Sequence, residues 1–182
     1  MSESVVIVAF YHFVVEPFTE PAKMKSTLLA CMRAAQVKGT IILASEGLNG
    51  TVAGPKKGIE HVIAHLRCWP YCESLKWKSA TARKNPFLRV KVKLKKEIVT
   101  MGVAGLVPAQ QTGIAVNAKE WQRLLADPDT LVVDTRNQYE TEIGTFERAL
   151  DPETDTFRAF PDFVNKRLAD AKQRKIAMFC TG

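Results

Sequence analysis

Lys175-Ile176-Ala177-Met178-Phe179-Cys180-Thr181-Gly182 reads as a strand that hands a thiol to a turn. Ile176 to Cys180 are apolar or weakly polar, and Lys172, Arg174 and Lys175 form a polar flank before them. A short continuous apolar run suits a strand covered on both faces, as in a parallel sheet. Cys180 then falls at the strand's carboxyl end, where open α/β sheets bind ligands, and Thr181 and Gly182 begin the turn. A loop curling around the sulfur would point backbone N–H groups inward as an anion nest, and a following helix N-terminus would add partial positive charge. Both favour thiolate over thiol, giving a nucleophile that accepts sulfur as a persulfide or attacks another electrophile. The other reading is a packed, inert cysteine, since free cysteine is among the most buried residue types.

The residues before this strand repeat the same grammar. Asn117 is a good N-cap for a helix over 118–126, with Glu120 at its third position and Trp121, Leu124 and Leu125 as its apolar side. Leu131-Val132-Val133 reads as a buried strand with Asp134-Thr135-Arg136 at its carboxyl end. Tyr139 to Ile143 is one helical turn closed by Gly144, Phe146 to Leu150 is extended, and Asp151 to Asp155 is a loop. Pro161 to Ala171 is a helix with Phe163, Leu168 and Ala171 inward. Strands alternating with helices indicate a parallel, doubly covered sheet. Two parallel strands thus end in chemistry, Asp134 and Arg136 after one and Cys180 after the other. An Asp and an Arg so placed could react, but such pairs more often orient a loop, so a structural clamp is preferred.

The first half reads differently. Val5 to Val14 is an apolar, β-branched and aromatic central strand broken by Pro17 and Pro21. Ala22 to Lys38 is a helix with Met24, Leu28, Cys31, Met32 and Ala35 at helical spacing, stopped by Gly39. Thr40 to Ser45 is a second strand, Glu46 to Gly50 a turn with an Asn-Gly hairpin signal, and Thr51 to Ala53 a short third strand. Pro55 opens a helix whose apolar face is Ile59, Val62, Ile63 and Leu66. Leu75 to Lys78 is a short extended segment. Phe87 to Lys95 alternates, with Leu88, Val90, Val92 and Leu94 on one face and Arg89, Lys91, Lys93 and Lys95 on the other. This order of elements describes a ferredoxin-like α+β sandwich over 1–96. Residues 97–116, with Gly102, Gly105, Pro108 and Gly113, read as a linker, and 117–182 as the second domain.

The chain has 182 residues, a net charge of +7 and four cysteines. The cysteines and the lack of a basic leader fit a reducing, cytoplasmic setting, and Val5 to Phe10 is too short to span a membrane. The basic excess permits an anionic partner without proving one. Lys76, Lys78, Arg83, Lys84, Arg89, Lys91, Lys93, Lys95 and Lys96 come within one span that holds no acid before Glu97. They form either a solvated or edge-protecting sheet face, or a phosphate-binding surface with Trp77 available for stacking. His61 and His65 stand four apart, but Val62 replaces the glutamate of the zinc-protease motif and no third ligand is evident. Cys68 and Cys72 read as packing residues. No flavin, nicotinamide or phosphate-loop fingerprint is evident.

Asp134-Thr135-Arg136-Asn137, Tyr139-Glu140, Glu142 to Phe146 and Phe179 to Gly182 resemble a rhodanese domain. With Ser45 to Thr51, Asn85 to Phe87 and Lys95 to Val99, the chain from about Phe10 onward resembles the rhodanese-containing tRNA uridine hydroxylases. The resemblance implies an acylphosphatase-like, ferredoxin-type domain followed by a rhodanese domain. It implies oxygen-dependent hydroxylation of the wobble uridine, position 34, of certain tRNAs to 5-hydroxyuridine, with molecular oxygen as co-substrate. Cys180 is then the catalytic, persulfide-forming cysteine, supported by Asp134, Arg136 and Glu140, and Lys76, Lys78, Arg89, Lys91 and Lys93 contact tRNA. The family's active-site loop continues past Gly182 with a glycine, an arginine and a second cysteine, so an incomplete rhodanese domain and an unformed site are expected over these residues. Two other functions compete: a sulfurtransferase passing sulfur from Cys180 to a thiol or cyanide, and a non-catalytic RNA- or protein-binding adaptor.

Overall fold

The computed structural model describes residues 4–103, 108–109, 112–171 and 173–181. The turn expected at Gly182, the flanking Lys172 and the linker glycine Gly105 lie outside them. The chain divides into two compact units, one built on residues 1–99 and the other on 112–182.

The first unit runs β1 (Val5–Phe13), α1 (Pro21–Ala34), β2 (Lys38–Ala44), β3 (Gly47–Gly54), α2 (Lys56–Arg67), β4 (Lys78–Ala82) and β5 (Val90–Leu94). Its five strands lie in the order β4-β1-β3-β2-β5. All neighbours are antiparallel except β2 and β5. Opposed residues share a face, so Val8, Val52 and Ile41 point one way, joined by Phe10, Leu43, Leu48 and Val92. The helices bring Leu28, Met32, Ile59, Val62, Ile63 and Leu66 against that face, and these residues form the core. The other face of the sheet carries neither helix.

Several local readings change. The βαββαβ unit is completed by β4, of which the sequence showed only an extended segment over Leu75 to Lys78. Phe87 to Lys95 supplies a fifth strand on the opposite edge. There only Val92 is buried and Val90 partly so, while Leu88 is 88% and Leu94 41% exposed, because an edge strand's ends meet little of the core. Helix α1 stops at Ala34, four residues before Lys38, and Gln36, with a φ of 56°, turns the chain. Val37 N–H then reaches back to the Met32 carbonyl at 2.9 Å, which satisfies an orphan carbonyl as a glycine cap would. The hairpin turn is Ser45-Glu46, not Asn49-Gly50. Asn49 lies inside β3, and its side-chain N–H donates to the Ile98 carbonyl. Ile98 is 2% exposed and its N–H donates to Glu46 Oε1, so residues expected to begin a linker belong to the first unit's packing. Cys72 is buried, and burial pushes its thiol up to about 12, with Glu73 adding to the shift. Cys68, expected to be packed, is exposed.

The second unit runs α3 (Ala118–Ala126), β6 (Leu131–Asp134), α4 (Gln138–Ile143), α5 (Phe160–Arg167) and β7 (Ile176–Phe179). Asn117 Oδ1 accepts from the N–H groups of Lys119 and Glu120, and Glu120 returns a bond to Asn117 N–H. Single 3₁₀ turns at Phe157–Ala159 and Ala169–Ala171 flank α5, so the expected helix over 161–171 is interrupted. Residues 146–150 are not a strand; only Leu150 bridges to Val133. β6 and β7 pair in parallel. β7 is covered on one side only, with Ala177 6% exposed but Ile176 40% and Met178 53%. The expectation of two covered faces fails because this parallel sheet has two strands among the described residues.

Gly39 tests the first sheet. Its φ is +132°, and a Cβ there would lie 2.3 Å from the Thr51 carbonyl oxygen. Gly39→Ala should lower stability by about 2–4 kcal/mol, whereas Gly113→Ala, with open space around it, should stay within about 0.5 kcal/mol. Urea midpoints decide it; an unmoved Gly39→Ala midpoint would contradict the β2–β3 register.

Candidate active site at the β6 and β7 ends

Parallel pairing sets Asp134 beside Phe179, so the next residues of both strands emerge together. Thr135 fixes the junction: its N–H and its hydroxyl both donate to the Phe179 carbonyl, at 2.9 and 2.7 Å. Cys180 follows on the exposed rim, with its thiol 3.8 Å from the Thr135 carbonyl oxygen.

Asp134 is fully buried. A lone carboxylate there would be costly, by several kcal/mol. Four donors offset that cost: Arg136 Nη2 at 2.6 Å, Arg136 Nε at 2.9 Å, Thr145 Oγ1 at 2.7 Å and the Arg136 N–H at 3.1 Å. Burial pushes the Asp134 carboxyl up, but the bonds from Arg136 and Thr145 outweigh it and hold it below the usual carboxylate range. The same carboxylate holds Arg136 above its ordinary value. Arg136 also donates to the Gly144 carbonyl at 2.7 Å and lies 5.3 Å over the Phe179 ring. Phe179 meets Phe146 and Trp121 edge-on, which ties α3 to the same corner. The guanidinium is thereby fixed over the residue that precedes Cys180.

Glu140, on α4, accepts from the Thr181 hydroxyl at 2.7 Å and from Asn137, and these donors hold its carboxyl below the ordinary value. The structure therefore brings together Asp134, Arg136, Glu140 and Cys180. Thr145 and Thr181 join them as donors. Sequence reasoning gave neither a role, although both lie in the stretches that carry the rhodanese resemblance. The arrangement sets a cation at the strand end that carries a thiol, with Asp134 anchoring the cation.

The cations that the sequence groups together do not lie side by side. Lys78 lies on β4 and Lys91 and Lys93 on β5, at opposite edges of the sheet; Lys76 precedes β4 and Arg89 precedes β5. Trp77 turns to the helix side, lining a cavity of about 900 Å³ with Val6, Ile59 and Ile63, and its ring is capped by Arg67 at 4.7 Å. His65 packs edge-on to Trp69 at 5.7 Å; burial and then His61 lower its pKa. Among the described residues no group of three or more His, Cys, Asp or Glu could hold a metal, and no helix is long and apolar enough to cross a membrane.

The fold and site define an α+β domain of acylphosphatase type followed by an α/β unit with a thiol at a strand end. The chain belongs to the family described as UPF0176 acylphosphatase like domain, which matches residues 5–98. It is 51% identical over 176 residues, 97% of this chain, to the tRNA uridine(34) hydroxylases of Rhizobium etli and Rhizobium leguminosarum bv. trifolii. The chain spans 56% of the length of each. Among solved structures, BlrB, a BLUF protein, aligns with a TM-score of 0.44 at 11% identity, over 56% of this chain and 81% of that one. An acylphosphatase from Coxiella burnetii aligns with a TM-score of 0.32 at 11% identity, over 50% of this chain and 92% of that one. Both likenesses are too slight to bear on the site.

The Asp134 clamp has a pH signature. A carboxyl depressed on folding stabilises fully above its unfolded value of about 3.9, and that contribution is lost as pH falls through the lower folded value. Asp134→Asn should cost about 2–4 kcal/mol at pH 7, because the half-buried Arg136 loses its counter-charge. In urea titrations the gap to wild type should narrow at pH 3; a gap independent of pH would remove the charge from the account.

Proposed function

We propose that this protein hydroxylates uridine 34 of tRNA to 5-hydroxyuridine, one atom of molecular oxygen entering the base and the other leaving as water at the expense of a two-electron donor, with tRNA as macromolecular substrate. The 51% identity across 97% of the chain to proteins named tRNA uridine(34) hydroxylase carries the reading. In it the second unit is rhodanese-type and Cys180 is the reacting cysteine, with Arg136 placing positive charge beside it. Asp134 anchors that charge, and Glu140 holds the Thr181 end of the loop. Lys76, Lys78, Arg89, Lys91 and Lys93 attract the tRNA backbone, the enzyme works in the cytoplasm, and no resident metal or flavin is invoked. Exposure of the Cys180 sulfur beside a fixed guanidinium supports a reactive role over a packing one.

The same thiol favours one competing activity, transfer of sulfur from a small donor. Cys180→Ser in the intact protein separates them when tRNA nucleosides are read by mass spectrometry and sulfur transfer from thiosulfate is assayed in parallel. Loss of 5-hydroxyuridine, with little thiosulfate activity in wild type, is the expected result. Wild-type hydroxyuridine that survives the substitution takes Cys180 out of the chemistry. Strong thiosulfate turnover without hydroxyuridine establishes the sulfurtransferase instead.

A further inference from the structure

The face of the first sheet away from the helices carries lysines on its strands, while Ile98, held by Glu46, packs against it at Asn49. Strand register places Lys78, Ala9, Thr51, Thr40 and Lys91 in a single row across all five strands. Lys38 lies in the row on one side, opposite Ala53, and Lys93 in the row on the other, beside Ile42. Four strand steps of about 4.8 Å separate the two rim lysines, Lys78 and Lys91, by roughly 19 Å. None of the strand residues facing this way is acidic. Lys38, Lys78, Lys91 and Lys93 are exposed and form no ion pair among the described residues. On the helix side, by contrast, Lys23 pairs with Glu20 and Lys56 with Glu60.

Tyr11, on β1 beyond the last residue paired with β4, is 66% exposed and ends the row that Lys93 begins. Its ring meets Phe13, two residues along the same face, edge-on at 6.3 Å. Lysines on edge strands guard against edge-to-edge pairing, which accounts for Lys78, Lys91 and Lys93. It does not account for Lys38 on an interior strand, nor for an exposed aromatic ring on the same face. A flat basic face with a solvent-exposed ring matches a single-stranded nucleic acid, whose phosphates follow the cations while an unstacked base lies on the ring. A-form duplex offers no such base face.

We propose that the helix-free face of the first sheet is a platform for single-stranded RNA, with Tyr11 as its stacking residue and Lys38, Lys78, Lys91 and Lys93 as its phosphate contacts. The proposal rests on the RNA-modifying reading above and locates where the unpaired part of that substrate lies.

Fluorescence anisotropy with a labelled oligouridylate of about eight nucleotides, titrated with the intact protein over a range of sodium chloride, tests it. Lys78→Ala/Lys91→Ala should weaken binding about tenfold and flatten the salt slope by about 1.4, at about 0.7 per phosphate contact. Tyr11→Ala should weaken it about fivefold or more with the slope unchanged. Arg33→Ala/Lys57→Ala, the same charge change on the helix side, should stay within about threefold. If the helix-side pair matches the sheet pair, or Tyr11→Ala binds as wild type does, the platform is overturned and the RNA-modifying function stands. Tighter binding of an RNA duplex of the same length also overturns it. Absence of any wild-type RNA binding overturns both.

Discussion

The pairing of β1 with β3 governs the first unit. Eight opposed pairs, from Val6 with Gly54 to Phe13 with Gly47, fix which side chains face the helices and which face away. A shift of one residue would send Val8, Phe10 and Leu48 outward and Tyr11 inward. Gly47 sits at the end of this register with φ at +149°, where a Cβ would fall 2.1 Å from the His12 carbonyl oxygen. The register therefore depends on a position only glycine fits. The strand lysines of the helix-free face and the strand residues of the core take their sides from this pairing and those beside it.

A second constraint of the same kind operates in the other unit. Burying Asp134 completely is tolerable because Arg136 and Thr145 surround it with donors. The cost of that burial is what makes the corner rigid: moving Arg136 would strand a carboxylate in an apolar place. The guanidinium beside Cys180 is in this sense held by the fold and not by the thiol. Phe179, stacked under Arg136 and wedged between Trp121 and Phe146, adds apolar packing to the same joint. A polar anchor below and an aromatic cluster beside it leave the strand end as the place where chemistry can vary.

The two units solve the placement of charge in different ways. Around Cys180 a single cation is ion-paired, oriented and close to one sulfur, which suits a reacting centre. Across the first sheet, cations are unpaired, exposed and spread over three rows, which suits a long, flexible anion. Opposite arrangements of the same residue types follow from burial: a buried charge must be matched locally, and a solvated one need not be.

Much of this was legible in the residues alone. Periodicity located both helices of the first unit, Asn117 and Glu120 announced the start of α3 to the residue, and the strand before Cys180 was placed correctly. Such features are local, decided by neighbours three or four positions away. What the sequence could not decide was which strands lie side by side. Phe87 to Lys95 alternates as any amphipathic strand does, and nothing in the alternation says whether it joins β1 or β2. Basic residues contiguous in the chain, from Lys76 to Lys93, were consequently parted to opposite edges, while Lys38, far away in sequence, came to share their face. Trp77 was drawn to the helices and Tyr11 left in solvent for the same reason. The sequence by itself determined the elements and the thiol at a strand end; the tertiary structure alone decided strand order, and with it which charges share a surface, because pairing joins residues that the chain holds far apart.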